Sequence, residues 1–174
     1  MRNLIIVTGP SCSGKTTLVG KLQGITRVVS TTTRPIREGE VNGVDYHFVT
    51  AEEFEKLKFI ERSEVYGNQY GVTVDALEQA EGNVVIILDV QGALEFQDLY
   101  GTDATFVFLH VPIEELSRRM EKRGDINNKL RLERAYEEMQ YECCFNHVLS
   151  GENTLESLTE IIKGGQHVQC ISHG

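Results

Sequence analysis

Near the start of the chain, eight consecutive residues have the types and spacing needed to hold a polyphosphate. Gly9-Pro10-Ser11-Cys12-Ser13-Gly14-Lys15-Thr16 matches G-x-x-x-x-G-K-[ST] at every fixed position. Gly9 and Gly14 permit the turns that aim successive backbone N–H groups inward at phosphate oxygens. Lys15 supplies a point charge for the β- and γ-phosphates. The Thr16 hydroxyl is a ligand for Mg²⁺. Pro10, Ser11, Cys12 and Ser13 complete the turn, and Thr17 continues into a helix whose N-terminal dipole favours the same anion. The expected site for the triphosphate of ATP is therefore residues 9–17, with Mg²⁺ as cofactor and Thr16 as its protein ligand. The Cys12 thiol, at a helix N-terminus, is expected to be mildly sensitive to thiol reagents.

The loop specifies a nucleoside triphosphate but not the reaction, and residues 30–93 narrow it. The run from Ser30-Thr31-Thr32-Thr33-Arg34-Pro35-Ile36-Arg37-Glu38-Gly39 to Asp45-Tyr46-His47-Phe48 resembles the guanylate kinase family. Phe59-Ile60-Glu61, Tyr66-Gly67-Asn68-Gln69-Tyr70-Gly71 and Leu88-Asp89-Val90-Gln91-Gly92-Ala93 follow in the family's order. The resemblance implies an ATP:GMP phosphotransferase, making ADP and GDP. It implies that Arg34, Arg37, Tyr46 and Tyr70 hold the GMP phosphate and that Ser30, Glu61 and Asp89 read guanine. The residue types agree with this. Arginine forks and phenols suit a phosphate. Two carboxylates accept from guanine N1–H and N2–H, a serine donates to O6, and adenine would leave the carboxylates unmatched. Asp89 also ends an apolar run, the pattern of an aspartate that serves Mg²⁺, so two roles stand open for it. The family's other acid falls on Ile87.

The resemblance further implies a lid whose arginines neutralise the transferring phosphoryl group. Arg119, Arg123 and Arg131 match these in order, across a shorter gap before Arg131. With Lys15 and Arg34 they form the expected catalytic set. Two more departures from the family are Val72, where a hydroxyl residue is usual, and Gly151, where an asparagine usually helps seat adenine; Asn153 is close by.

These residues need elements to position them. Leu4-Ile5-Ile6-Val7, Val84-Val85-Ile86-Ile87-Leu88 and Thr105 to Val111 read as buried parallel strands. Helices are expected over residues 15–23, 93–99, 114–122, 129–143 and 155–163, with Pro112 in a first helical turn and a short strand at Val148-Leu149. Strand–helix alternation indicates an α/β class, a P-loop NTPase three-layer fold around a parallel sheet. The single domain divides into a core (1–29, 73–117, 132–174), an inserted, mostly β GMP-binding subdomain (30–72) and a helical lid (118–131). Within the insertion, short strands are expected at 45–49, 59–61 and 68–72 and a helix at 51–58. The tail 164–174 reads as loosely ordered.

Composition sets the outer bounds. The 174 residues carry a formal charge of −9, which argues against a nucleic-acid or acidic-membrane partner. No apolar run approaches the length of a membrane span, and no secretory leader is visible. Cys12, Cys143, Cys144 and Cys170 lack metal-site spacing and read as free thiols in the cytoplasm. A monomer or homodimer is expected. Two other readings remain: a non-catalytic phosphopeptide-binding module of the same likeness, which would lack an intact phosphate loop, and a kinase of another phosphorylated acceptor such as a sugar phosphate, which would not need Glu61, Tyr70 and Asp89.

Overall fold

The computed structural model describes residues 3–124 and 128–164. In chain order its elements are β1 (Asn3–Thr8), α1 (Lys15–Val19), β2 (Thr26–Val28), β3 (Thr31–Thr32), β4 (His47–Phe48), α2 (Ala51–Phe54), β5 (Phe59–Val65), β6 (Asn68–Thr73), α3 (Val74–Glu78), β7 (Asn83–Ile87), α4 (Val90–Tyr100), β8 (Ala104–Leu109), α5 (Ile113–Arg123), α6 (Asn128–Met139), β9 (His147–Leu149) and α7 (Thr154–Ile162). The centre of the expected lid, 125–127, and most of the expected tail, with Cys170, lie outside the described residues.

The apolar runs are strands of one parallel sheet, ordered β2-β7-β1-β8-β9. β1 is central, paired with β7 on one side and β8 on the other. A strand covered on both faces needs no polar alternation, which is why β1 reads Leu-Ile-Ile-Val. Leu4 and Ile6 pack with Ala93 and Phe96 of α4. Ile5 and Val7 pack with Leu18 and Val19 of α1 and Leu158 and Ile161 of α7. Each fully buried side chain of this size contributes roughly 1.5–3 kcal/mol. The result is the expected three-layer α/β core. Leu116 and Met120 of α5 bury against Ala135 of α6 in a separate, smaller cluster.

A second sheet, ordered β4-β3-β6-β5, forms within the expected insertion. β3 runs parallel to β4 and antiparallel to β6, and β5 and β6 make a hairpin. The two-residue tip of that hairpin, Tyr66-Gly67, has φ of 52° and 73°.

Several boundaries differ from expectation. α4 starts at Val90 rather than residue 93, because the Asp89 carboxylate accepts from Gly92 N and caps the helix. α1 ends at Val19 rather than continuing to residue 23; the chain passes through Gly20 into a turn in which Lys21 and Leu22 bond three residues back. α2 is a single turn fixed by a capping box between Thr50 and Glu53, and Phe54 buries its end. α6 stops at Met139 rather than residue 143, and a 3₁₀ turn covers Glu142–Cys144. β8 ends at Leu109 rather than residue 111, and Pro112 is the N-cap of α5 rather than a first-turn residue. β4 is two residues long instead of five, whereas β5 runs on to Val65. β2 and α3 carry no periodic signal. β2 is an edge strand of three residues with only Val28 buried, and α3 is held by its Thr73 cap.

Candidate active site

The C-terminal ends of the parallel strands open into a cleft of about 1240 Å³. The loop after β1 is its floor. At Gly9 the backbone has φ of 137°, and a Cβ would sit 2.6 Å from the Leu109 carbonyl oxygen, so only glycine fits. Gly14 (φ 97°) turns the chain into α1, which begins at Lys15. Lys15 Nζ donates to the carbonyl oxygens of Gly9 at 2.6 Å and Pro10 at 2.8 Å. Enclosure pushes this ammonium below the usual lysine range, while Glu138 and Asp89 pull it back. From α5, Arg119 straps the loop: Nη1 donates to Cys12 O at 3.2 Å and Ser13 O at 3.1 Å, and Nε donates to Glu115. Cys12 has φ of 65° and its side chain packs against the α5–α6 cluster. Thr16 and Thr17 are exposed at the cleft.

No cluster of three His, Cys, Asp or Glu residues suited to a metal exists among the described residues. The Thr16 hydroxyl, exposed at the cleft beside the loop, is a donor type that fits an ion held mainly by ligand oxygens and water.

The strand order separates the two ends of the cleft. Beyond β7 lie the residues expected to read guanine. Glu61 is 4% exposed on β5, and its Oε2 atom is buried with no hydrogen-bond partner. Burial, with the Asp89 and Glu95 charges behind it, pushes its pKa up to about 8. Asp89 accepts from Gly92 N at 3.0 Å and from Ser63 Oγ at 2.5 Å. Ser63 follows Glu61 by two residues on β5, so both face the cleft. Gly92 makes room for the acid, since a Cβ there would collide with the Glu61 carboxyl. Ser30 is buried at the cleft wall.

Arg34, Tyr46 and Tyr70 gather at the second sheet, with rings of Tyr46 and Tyr70 edge to face at 5.8 Å. Arg34 pairs bidentately with Glu40, at 2.7 and 3.0 Å, and its guanidinium lies 5.5 Å from the Tyr46 and Phe48 rings. Burial opposes the Arg34 charge, but Glu40 and Tyr70 outweigh it and hold the pKa above its usual value. Glu40 also accepts from Arg37 N at 2.8 Å. Burial, then Arg34 and Arg123, lowers Arg37. Like charges from the turn after β3 and from α5 thus face one volume, an arrangement that suits an anion between them.

Arg123 and Arg131 line the cleft, and Arg131 Nη1 approaches Ser11 Oγ at 3.5 Å. Arg134, one turn further along α6, lines it as well and donates from Nε to Glu138 at 2.9 Å. Burial raises Glu138 above the usual carboxyl range against the pull of Arg134 and Lys15. The opposite end of the cleft, beyond β8 and β9, is walled by His110, Gly151, Glu152 and Thr154. Asn153 stands at the N-cap position of α7, with no side-chain capping bond, and is not part of that wall.

The structure brings every expected site residue except Pro10 to the cleft wall, and Pro10 contributes its carbonyl to Lys15. Sequence reading missed Glu40, Ser63, Tyr66, Arg134 and Glu138. Ser63 had a signal in its alternation with Glu61, and Arg134 and Glu138 had one in their i,i+4 spacing. Ile87 is half-buried at the cleft wall and packs against the α1 side of the core. Val72 is fully buried and faces the core.

Fold and phosphate loop define the P-loop class of nucleotide-binding proteins. The particular family follows from likeness to known proteins. A family model described as "Guanylate kinase" matches residues 1–164. The chain is 39% identical over 173 residues to the guanylate kinase of Clostridium perfringens (strain 13 / Type A), covering 91% of this chain and 80% of that one. It is 40% identical over 166 residues to that of Chlorobaculum tepidum, covering 86% and 85%. The crystal structure of guanylate kinase from Anaplasma phagocytophilum superposes with a TM-score of 0.76 at 30% identity, over 97% of this chain and 88% of that one. The chain belongs to the guanylate kinase family.

Proposed function

We propose that the chain is a catalytic guanylate kinase, transferring the γ-phosphoryl group of ATP to GMP and releasing ADP and GDP. The observation that carries this reading is the Glu61 carboxyl, buried with one oxygen unmatched at the cleft wall and kept beside Asp89. A buried orphan acceptor is costly unless a ligand satisfies it. Guanine offers two adjacent donors, N1–H and N2–H, while adenine offers an acceptor at N1. The Ser63 bond draws Asp89 toward β5 and supports its guanine role over a metal role.

In this reading the backbone of residues 9–17 wraps the ATP phosphates, and Lys15 exchanges its two carbonyl contacts for phosphate oxygens. Mg²⁺, held by Thr16 and the nucleotide, supplies charge neutralisation. Arg37, Tyr46 and Tyr70, with Arg34 oriented by Glu40, hold the acceptor phosphate. Arg119, Arg123 and Arg131 spread positive charge over the equatorial oxygens of the group in flight, where phosphoryl transfer needs it. No general base is required, because the acceptor oxygen is already anionic. Residues 30–72 act as the acceptor-binding unit and 118–131 as the lid. No helix among the described residues is long and apolar enough to cross a membrane, and the reading places the protein in the cytoplasm, as a monomer or homodimer with no nucleic-acid partner.

A coupled assay of ADP release with ATP and Mg²⁺ tests this, offering GMP, AMP, CMP and UMP in turn. Turnover is expected with GMP alone. Lys15→Ala should abolish it while GMP binding persists. Binding of GMP without turnover in the unaltered chain would defeat the catalytic reading.

A further inference from the structure

Tyr66 breaks a local rule. The β5–β6 hairpin closes through a two-residue loop in which both φ angles are positive, 52° at Tyr66 and 73° at Gly67. This is the pattern of a type I′ turn, whose first position favours Asn, Asp or Gly. A bulky side chain there is held in an uncommon conformation, and such residues persist where their surroundings fix them for a purpose.

What surrounds this ring is cationic. The Arg131 guanidinium lies 4.6 Å from its centroid and that of Arg134 lies 5.3 Å away. The two arginines are three residues apart on α6 and so share one face of it. All three side chains line the cleft. Arg131 also reaches the phosphate loop at Ser11, and Arg134 is tied back to Glu138. A ring from the acceptor sheet therefore meets two guanidiniums from the helix across the cleft. The turn would be better satisfied by asparagine, and Arg134 keeps Glu138 whatever stands at position 66.

We propose that Tyr66 is a positioning residue for phosphoryl transfer, its ring orienting Arg131 and Arg134 so that both guanidiniums address the transferring phosphoryl group once the acceptor is seated. The proposal rests on the kinase reading above. It makes Arg134 a further arginine of the site, and it explains the choice of an aromatic residue at a turn position that does not favour one.

Tyr66→Asn and Tyr66→Phe separate this from a structural role. Asparagine fits the turn but has no π face; phenylalanine keeps the face and loses only the hydroxyl. Three quantities are measured on the full chain: melting temperature, kcat and KM for GMP, and the ¹⁵N–¹H signals of the arginine Nε groups. Tyr66→Asn should melt no lower than the parent, lose about tenfold in kcat and change KM for GMP by less than about twofold. Tyr66→Phe should recover most of the kcat. The ring-current displacement of the Arg131 and Arg134 signals should vanish in the first variant and persist in the second. Parental kcat in Tyr66→Asn, equal losses in both variants, or a loss that simply follows a lower melting temperature would each overturn the proposal. If the unaltered chain itself showed no GMP turnover, the kinase reading would fall, and arginine signals unmoved by Tyr66→Asn would then remove the clamp as well.

Discussion

A single carboxyl group, Glu61, would tie the proposed acceptor recognition to proton binding. Its pKa of about 8 lies far above the ordinary glutamate value of 4.5. The folded chain therefore keeps a proton that the unfolded chain releases. Between these two values the folded state binds more protons, so stability must fall as pH rises across that window. The cost is on the order of a few kcal/mol at its upper end. Thermal melts without nucleotide should show a declining midpoint from about pH 5 to pH 8. Glu61→Gln should flatten that decline, and GMP should oppose it by supplying donors to the ionised form. An unchanged pH slope in Glu61→Gln would mean that another group carries it. The same variant should lose discrimination between GMP and AMP, read as the ratio of kcat/KM values. Gly92 explains how so large an acid fits there: the first turn of α4 presents no side chain where the carboxyl lies.

At the scale of elements, α4 and β5 hold Asp89 and Glu61, the two acids proposed to read the base, from two directions. Asp89 is both the N-cap of α4 and the partner of Ser63. These two duties respond differently to substitution. Asp89→Ala removes the cap and leaves the Ser63 hydroxyl without its acceptor, so about 1 kcal/mol of stability should be lost. Asp89→Asn still caps the helix, because its amide oxygen can accept from Gly92 N. It should melt near the parent temperature while its GMP affinity falls. Calorimetric melts paired with GMP titration distinguish the cap from the ligand contact, and equal affinity in Asp89→Asn would assign the residue to structure alone. The sequence disclosed the strands β1, β7 and β8 because sheets buried on both faces leave long apolar runs. It disclosed the phosphate loop because the requirements of that turn are local. It hid β2 and α3, which are too short to show a period, and the early start of α4, which depends on Asp89 serving as a cap. Glu40, Tyr66, Arg134 and Glu138 stayed hidden for another reason. Their importance lies in contacts made by the folded chain: Glu40 and Tyr66 sit in loops, and the i,i+4 spacing of Arg134 and Glu138 marks a helix pair but not the cleft it faces.

The molecule as a whole is acidic, yet its charge is unevenly placed. Eight of the 17 basic residues but only seven of the 26 acidic residues line the cleft. The cleft is thus one unit positive at formal charges, and the remaining surface is ten units negative. Nucleotides are drawn toward a focused basic site by a field that salt screens over roughly 8 Å at physiological ionic strength. Raising salt should lower kcat/KM for GMP several-fold while kcat changes little, as steady-state kinetics across a KCl series would show. A parallel fall in kcat would place the salt-sensitive step at the chemistry instead. One further feature bears on how such a molecule can diversify. The second sheet is entered through β3 and left through β6, and these strands are neighbours, with Thr31 opposite Gly71. Between those two crossings the sheet is also seamed to the core, through Val72 in the core cluster and the Ser63–Asp89 bond to α4. A graft of this sheet from a relative would therefore have to match that seam as well as the two strand crossings, like a key cut for one lock.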